Sequence, residues 1–224
     1  MLVTFSGMVG SGKSTGAKHA MRVMRELGYS PYYLGFRFIG WRELLRPPAQ
    51  KPWQPRDEIV APGSPVPDMN SQTKRRIEVD RHLSFPAFLS FLLRILRLRV
   101  FFYLHYRHHL VVLNRYFYDN FAHFCVTSPR QRRYLRMLLA LMPQPDLAFL
   151  MVARPDTAFY RRPEYHREEL QKISENYAAI RKLASRLIVI ATDNVKTVDS
   201  QIERNVRAVF HQQQMRPHEE RIAS

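Results

Sequence analysis

Cysteine, glycine, acidic residues and long uncharged apolar runs are all scarce in this chain of 224 residues. The single cysteine, Cys125, excludes an internal disulfide and fits a reducing, cytoplasmic setting. It sits among Phe121, Phe124 and Val126, which reads as a small core residue rather than a nucleophile. A membrane-spanning helix needs about twenty nearly uncharged residues. The most apolar stretch, residues 84–104, is interrupted by Arg94, Arg97 and Arg99, so no transmembrane segment is expected. The first residues, Met1-Leu2-Val3-Thr4-Phe5, read as a strand, not as a signal peptide. Acid is outnumbered: 19 Asp and Glu face 35 Lys and Arg, a formal net charge of +16. That excess favours anionic partners and predicts non-specific affinity for nucleic acid. It does not choose among nucleotide, nucleic acid and acidic membrane.

The glycines are few and unevenly placed. Four of the eight lie between Gly7 and Gly16, and none follows Gly63. They spell G-x-x-x-x-G-K-[ST] through Gly7, Gly12, Lys13 and Ser14, between an expected strand and an expected helix. The chemistry accounts for the composition. Backbone N–H groups of Val9, Gly10, Ser11, Gly12, Lys13, Ser14 and Thr15 must converge on phosphate oxygens, and Cβ atoms would obstruct that wrap. The following helix turns its positive dipole end toward the same anion. In such a loop Lys13 holds the β and γ phosphates, and the Ser14 hydroxyl ligates Mg²⁺. ATP and Mg²⁺ are therefore the expected cofactors.

Period and punctuation give the rest of the plan. Residues 2–6 read as a strand, 13–27 as a helix capped by Gly28, and Pro31–Leu34 as a second strand. Seven prolines fall between Pro47 and Pro67, so 46–80 reads as an exposed insertion. A long apolar and basic helix is expected over 84–107, then a strand at Leu110–Leu113 and another at Asp146–Val152. A charged helix follows at 166–185, a last strand at Arg186–Ile190, and a closing helix to about residue 213. The tail, 214–224, is expected to fray. Alternating strands and helices imply one α/β domain over 1–213, with a parallel sheet covered on both faces. His105, His108 and His109 cluster without a thiol or an obvious carboxylate, which reads as helix-end chemistry rather than a metal site.

Four stretches together resemble one family. "FSGMVGSGKST", "LVVLNRYFYDNFAHF", "PDLAFLMVARPDTAFYRRPEY" and "LIVIATDNVKTVDSQIERNV" are similar, in that order, to segments of thymidylate kinase and related nucleoside and nucleotide kinases. The likeness covers residues 1–40 and 105–210, and extends to uncharacterised thymidylate-kinase-like proteins with a long apolar helix before the third strand. It implies a P-loop NTPase three-layer sandwich with strand order 2-3-1-4-5, and an ATP-dependent kinase acting on a nucleotide, nucleoside or similar small acceptor. It further implies a lid at 154–166 carrying Arg154, Arg161 and Arg162, and an acceptor-binding Arg37. Thymidylate kinases pair through helices of the 84–107 region, so the resemblance also implies a homodimer there; a peripheral membrane face is the alternative.

Two positions depart from the family pattern. Its Asp-Arg-Tyr aspartate is Asn114 here, and the acidic end of its fourth strand is Met151-Val152. An amide can help hold Mg²⁺ beside Ser14 but is no base at neutral pH. Asp119 is the candidate replacement; its alternative role is to cap a helix starting near Asn120. Asp146 opens its strand and so lies at the wrong end of a parallel sheet. A phosphorylated acceptor, already anionic at its attacking oxygen, needs no strong base. Arg115 is expected on phosphate oxygens in the transition state; Tyr116, Phe117 and Tyr118 are candidates to stack on an acceptor ring, with a core role the expectation for at least one of them, and Tyr116 is taken as the substrate contact. Two other functions stay open: a nucleic-acid 5′-end kinase or nucleic-acid-dependent ATPase, suggested by charge, and a nucleotide-binding regulator that has lost its chemistry with Asn114 and Val152.

Overall fold

Strand β1 (Leu2–Gly7) is buried along nearly its whole length, as a strand flanked by neighbours and covered by helices must be. The computed structural model describes residues 1–35, 44–45, 52, 79, 81–126 and 128–222, with side chains described to residue 212. Arg37 and the 46–80 insertion, apart from Pro52 and Val79, lie outside the described residues. After β1 come α1 (Lys13–Glu26), β2 (Tyr32–Gly35), α2 (Phe85–His105), β3 (Val111–Asn114), α3 (Phe117–Phe121) and α4 (Pro129–Leu141). The chain continues through β4 (Leu147–Val152), α5 (Pro155–Arg161), α6 (Arg167–Leu183), β5 (Leu187–Ala191) and α7 (Val195–Ile222).

The five strands form one all-parallel sheet in the order β2-β3-β1-β4-β5, the order the resemblance implies. Strand alternation divides the core in two. Val3, Phe5, Phe149 and Met151 pack with α1 and α7 on one face, where the Phe5 and Phe149 rings stack at 4.9 Å. Val111, Leu113, Ala148 and Leu150 pack with α2, α3, α4 and α6 on the other. Parallel strands deliver their carboxyl ends to one edge. Gly7, Gly35, Asn114 and Val152 therefore gather there, while Asp146 sits at the opposite edge and accepts the Leu2 N–H at 2.6 Å.

Gly28 closes α1 with φ +87° and returns its N–H to the Arg25 carbonyl, the left-handed cap expected of glycine. Helix α2 starts at Ser84, whose hydroxyl accepts the Ala87 N–H, with proline in the first turn. Its buried side, Phe88, Phe91, Ile95, Leu98 and Phe101, meets the core; its opposite side faces outward. At its end His105 Nε2 bonds the Leu44 carbonyl, and His109 packs edge-on to Tyr32. The closing helix runs on to Ile222 instead of stopping near residue 213. Beyond Phe210 the sequence is rich in Gln, Arg and Glu, good helix formers, with Pro217 the one strong helix breaker among them. Among the described residues no helix is long and apolar enough to cross a membrane.

Candidate functional site

Between β1 and α1 the chain turns through three glycines in the left-handed half of conformational space: Gly7 (φ +146°), Gly10 (φ +79°) and Gly12 (φ +82°). At Gly7 the constraint is also steric. A Cβ there would collide with the Met151 carbonyl oxygen of the neighbouring strand. At Gly12 a Cβ would meet nothing within 4 Å, so the loop encloses open space at the entrance to α1. No side chain caps α1 and its first turn carries no acid. Its leading N–H groups and positive dipole end are thus left for an external anion.

Lys13 is buried, and its ammonium donates to the Gly7 and Met8 carbonyls at 2.6 and 2.7 Å. Burial pushes its pKa down to about 8, against an opposing pull from the Asp119 carboxylate. Beside it, Asn114 Nδ2 donates to Ser14 Oγ at 2.9 Å and to the Tyr33 hydroxyl at 2.8 Å. Asn114 Oδ1 is buried with no hydrogen-bond partner. An orphaned buried acceptor next to a serine hydroxyl is costly alone and suits a hydrated cation, whose waters donate. The open cradle at Gly12 and this oxygen fit a Mg²⁺-bound phosphate chain.

Arg115 follows Asn114 in a left-handed conformation (φ 78°), the only described non-glycine residue to do so. Its N–H is fixed to the Phe5 carbonyl at 2.9 Å, and the side chain emerges exposed at the sheet edge. This bend turns the next residue inward. Tyr116 is fully buried, with its hydroxyl on the Pro143 carbonyl at 2.5 Å. The expectation that Tyr116 stacks on an acceptor is corrected: it is a core residue, and burial raises its pKa well above the ordinary tyrosine value.

Asp119 lies in the third position of α3, which begins at Phe117 and not near Asn120. One carboxylate oxygen accepts the Tyr116 N–H at 2.9 Å. The other accepts the Gly7 N–H at 3.2 Å and the Tyr177 hydroxyl at 2.8 Å. Asp119 therefore caps its helix and also ties the glycine loop to α6. Burial, then the carboxylate, raise the Tyr177 pKa well above its ordinary value, so that hydroxyl stays protonated as the donor.

Two cavities open at this edge. The first, about 490 Å³, is lined by residues 9–16, Asn114, Arg115, Arg161 and Arg162, and at its far end by Thr192, Val195 and Asp199. Arg161 reaches the Gly10 carbonyl at 3.1 Å, and Arg162 lies 3.5 Å from Glu164. Arg154 precedes α5 and lines neither cavity. The second, about 520 Å³, is lined by Gly7, Lys13, Arg81, Arg115, Asp119 and His123, with Tyr165 and Tyr177. Val9, Lys13 and Arg115 belong to both. Arg81 is held there by backbone bonds to the His123 carbonyl and the Cys125 N–H, each 3.1 Å. Burial, then the nearby Arg81 charge, lower the His123 pKa.

Of the residues singled out in the sequence, the loop, Asn114, Arg115, Asp119, Arg161 and Arg162 line these two cavities. Arg81, His123 and Tyr177 line the second cavity too, but no local motif marks them and only the bridge between residues 81 and 124 and the packing of α6 bring them in. No family model matches the chain, and no curated protein matches it.

Proposed function

We propose that this chain is an ATP-dependent phosphotransferase of thymidylate-kinase type, with an anionic small molecule, such as a nucleotide or another phosphate monoester, as acceptor. The observation that carries this reading is the pair of cavities meeting at Lys13 and Arg115. A donor chain in the first cavity and an acceptor in the second would bring their reacting ends to the same two cations. Phosphoryl transfer asks mainly for positioning and charge neutralisation, and the residues supply both. The glycine loop and α1 bind the phosphates. Lys13 leaves the loop carbonyls for the β and γ oxygens. Ser14 and Asn114 would hold Mg²⁺, which neutralises charge on the transferring group. Arg161 and Arg162 face the same phosphates from the lid, and Arg115 takes charge spreading toward the acceptor.

The acceptor class follows from what the second cavity holds. Among the described residues lining it, Asp119 is the only carboxylate, and three donors already occupy it. An acceptor oxygen that is already anionic needs no proton removed. It displaces ADP directly, forming one P–O bond as another breaks, with Arg81 and Arg115 to receive its charge. The nucleic-acid reading rests on net charge, and the regulator reading on Asn114 and Val152.

The test is incubation with Mg²⁺ and γ-labelled ATP against pooled nucleosides, nucleoside monophosphates, sugar phosphates and short oligonucleotides. Label should pass to a phosphorylated small acceptor. Lys13→Ala should lower transfer at least about a hundredfold. Transfer confined to oligonucleotides, or tight ATP binding with no transfer to any pool, would refute this reading.

A further inference from the structure

Helix α2 leaves a long apolar stripe uncovered. Phe85, Leu89, Leu93, Leu96, Val100 and Leu104 recur every three or four residues and are between 37% and 60% exposed. At about 1.5 Å per residue the stripe is about 28 Å long. It lies opposite the buried Phe91, whose ring packs on Phe121 and Phe124 at 5.5 Å, so it faces away from the sheet. Scattered exposed leucines are ordinary, but a continuous stripe marks an interaction surface.

The charge around the stripe names the partner. From Arg81 to Pro145 the sequence contains ten arginines, of which Arg81 and Arg115 belong to the second cavity, and a single acid, Asp119, which is turned inward to the glycine loop. At about 100° per residue, Arg97 and Arg99 fall on the two borders of the stripe. Arg107 continues its line, stacked 5.3 Å over the exposed Tyr103 ring. Helix α4 packs beside α2, with the Phe88 and Tyr134 rings 4.7 Å apart. On the side of Tyr134 it adds exposed Met137 and Leu141 together with exposed Arg130, with exposed Arg133 at the border.

We infer that the face formed by α2 and α4 docks on an anionic lipid bilayer, lying in the headgroup plane with the stripe inserted. A bilayer meets both halves of the surface: acyl chains take the leucines while lipid phosphates take the arginines. Nucleic acid would meet only the arginines. A second copy of the chain would meet only the leucines, because a two-fold contact sets each cationic border against its own likeness. The inference does not depend on the catalytic reading.

The experiment is co-sedimentation of the full chain with phosphatidylcholine vesicles, with and without about one-third phosphatidylglycerol, for wild type and Leu93→Ser/Leu96→Ser. The serine pair keeps the charge, so it separates insertion from simple attraction. Wild type should pellet with the anionic vesicles and hardly at all with neutral ones. The double variant should bind at least about tenfold more weakly, with unchanged melting temperature and unchanged mass by light scattering. If the serine pair fails to fold, Leu96→Trp serves instead. Its emission, after subtraction of wild type, should shift to the blue on adding anionic vesicles. Failure of wild type to bind, whether a second copy or residues 46–80 cover the stripe, overturns the inference. So does equal binding by the serine variant, or no spectral shift at residue 96.

Discussion

Lys13 leans on two carbonyl oxygens of its own loop while its surroundings resist its charge. With a folded-state pKa near 8 against 10.5 when unfolded, the unfolded chain binds more protons between those values. The free protein therefore gains stability as pH rises through that window. A bound phosphate chain reverses the preference and calls the proton back. Affinity for Mg²⁺·ATP should be level below about pH 8 and fall by up to about tenfold per pH unit above it. Calorimetry in two buffers of different ionisation enthalpy checks this: almost no proton uptake at about pH 7, close to one proton at about pH 9. Arg115 makes a second residue-scale prediction. Its left-handed backbone is strained for any side chain but glycine. Arg115→Gly should raise stability by about 1 kcal/mol in denaturant titration and still lose phosphoryl transfer. A variant less stable than the parent would show that the arginine is held there by contacts worth more than its strain.

Between elements, the Asp119 carboxylate joins the end of β1, the start of α3 and the middle of α6. Tyr177→Phe removes one of its three bonds and should cost about 1 kcal/mol. Asp119→Ala strands three donors and should cost about 2–4 kcal/mol, so the order of the two chemical-denaturation midpoints tests the arrangement. Turnover undiminished in Asp119→Asn would confine the residue to this joining role and strengthen the case for an acceptor that needs no base. The same elements show what sequence reading reaches. Strands such as Leu147–Val152 are visible as unbroken apolar runs, because both of their faces are covered, and helices such as Arg167–Leu183 because one-sided burial imposes a period on apolar residues. The start of α3 is not visible, because it is set by the turn at Arg115. The glycine loop is legible because its geometry is local. The second cavity is not, because Arg81, Asp119 and Tyr177 are separated by tens of residues and carry no common motif. Tyr116 shows how local reading misleads: it lies next to a site residue in sequence, and one positive φ sends it into the core.

At the scale of the molecule, the sheet order puts β1 in the centre, with β3 on one side and β4 on the other. Its partners are residues 111–114 and 147–151. Such distant pairings make a fold slow to assemble, since long loops must close before any contact rewards them. During synthesis β1 leaves the ribosome before both of its partners and has neither neighbour in place until β3, and then β4, has emerged. The glycine loop is thus made well before the strands that give it its shape, so a nascent chain halted before β4 carries the whole glycine motif without the finished cradle.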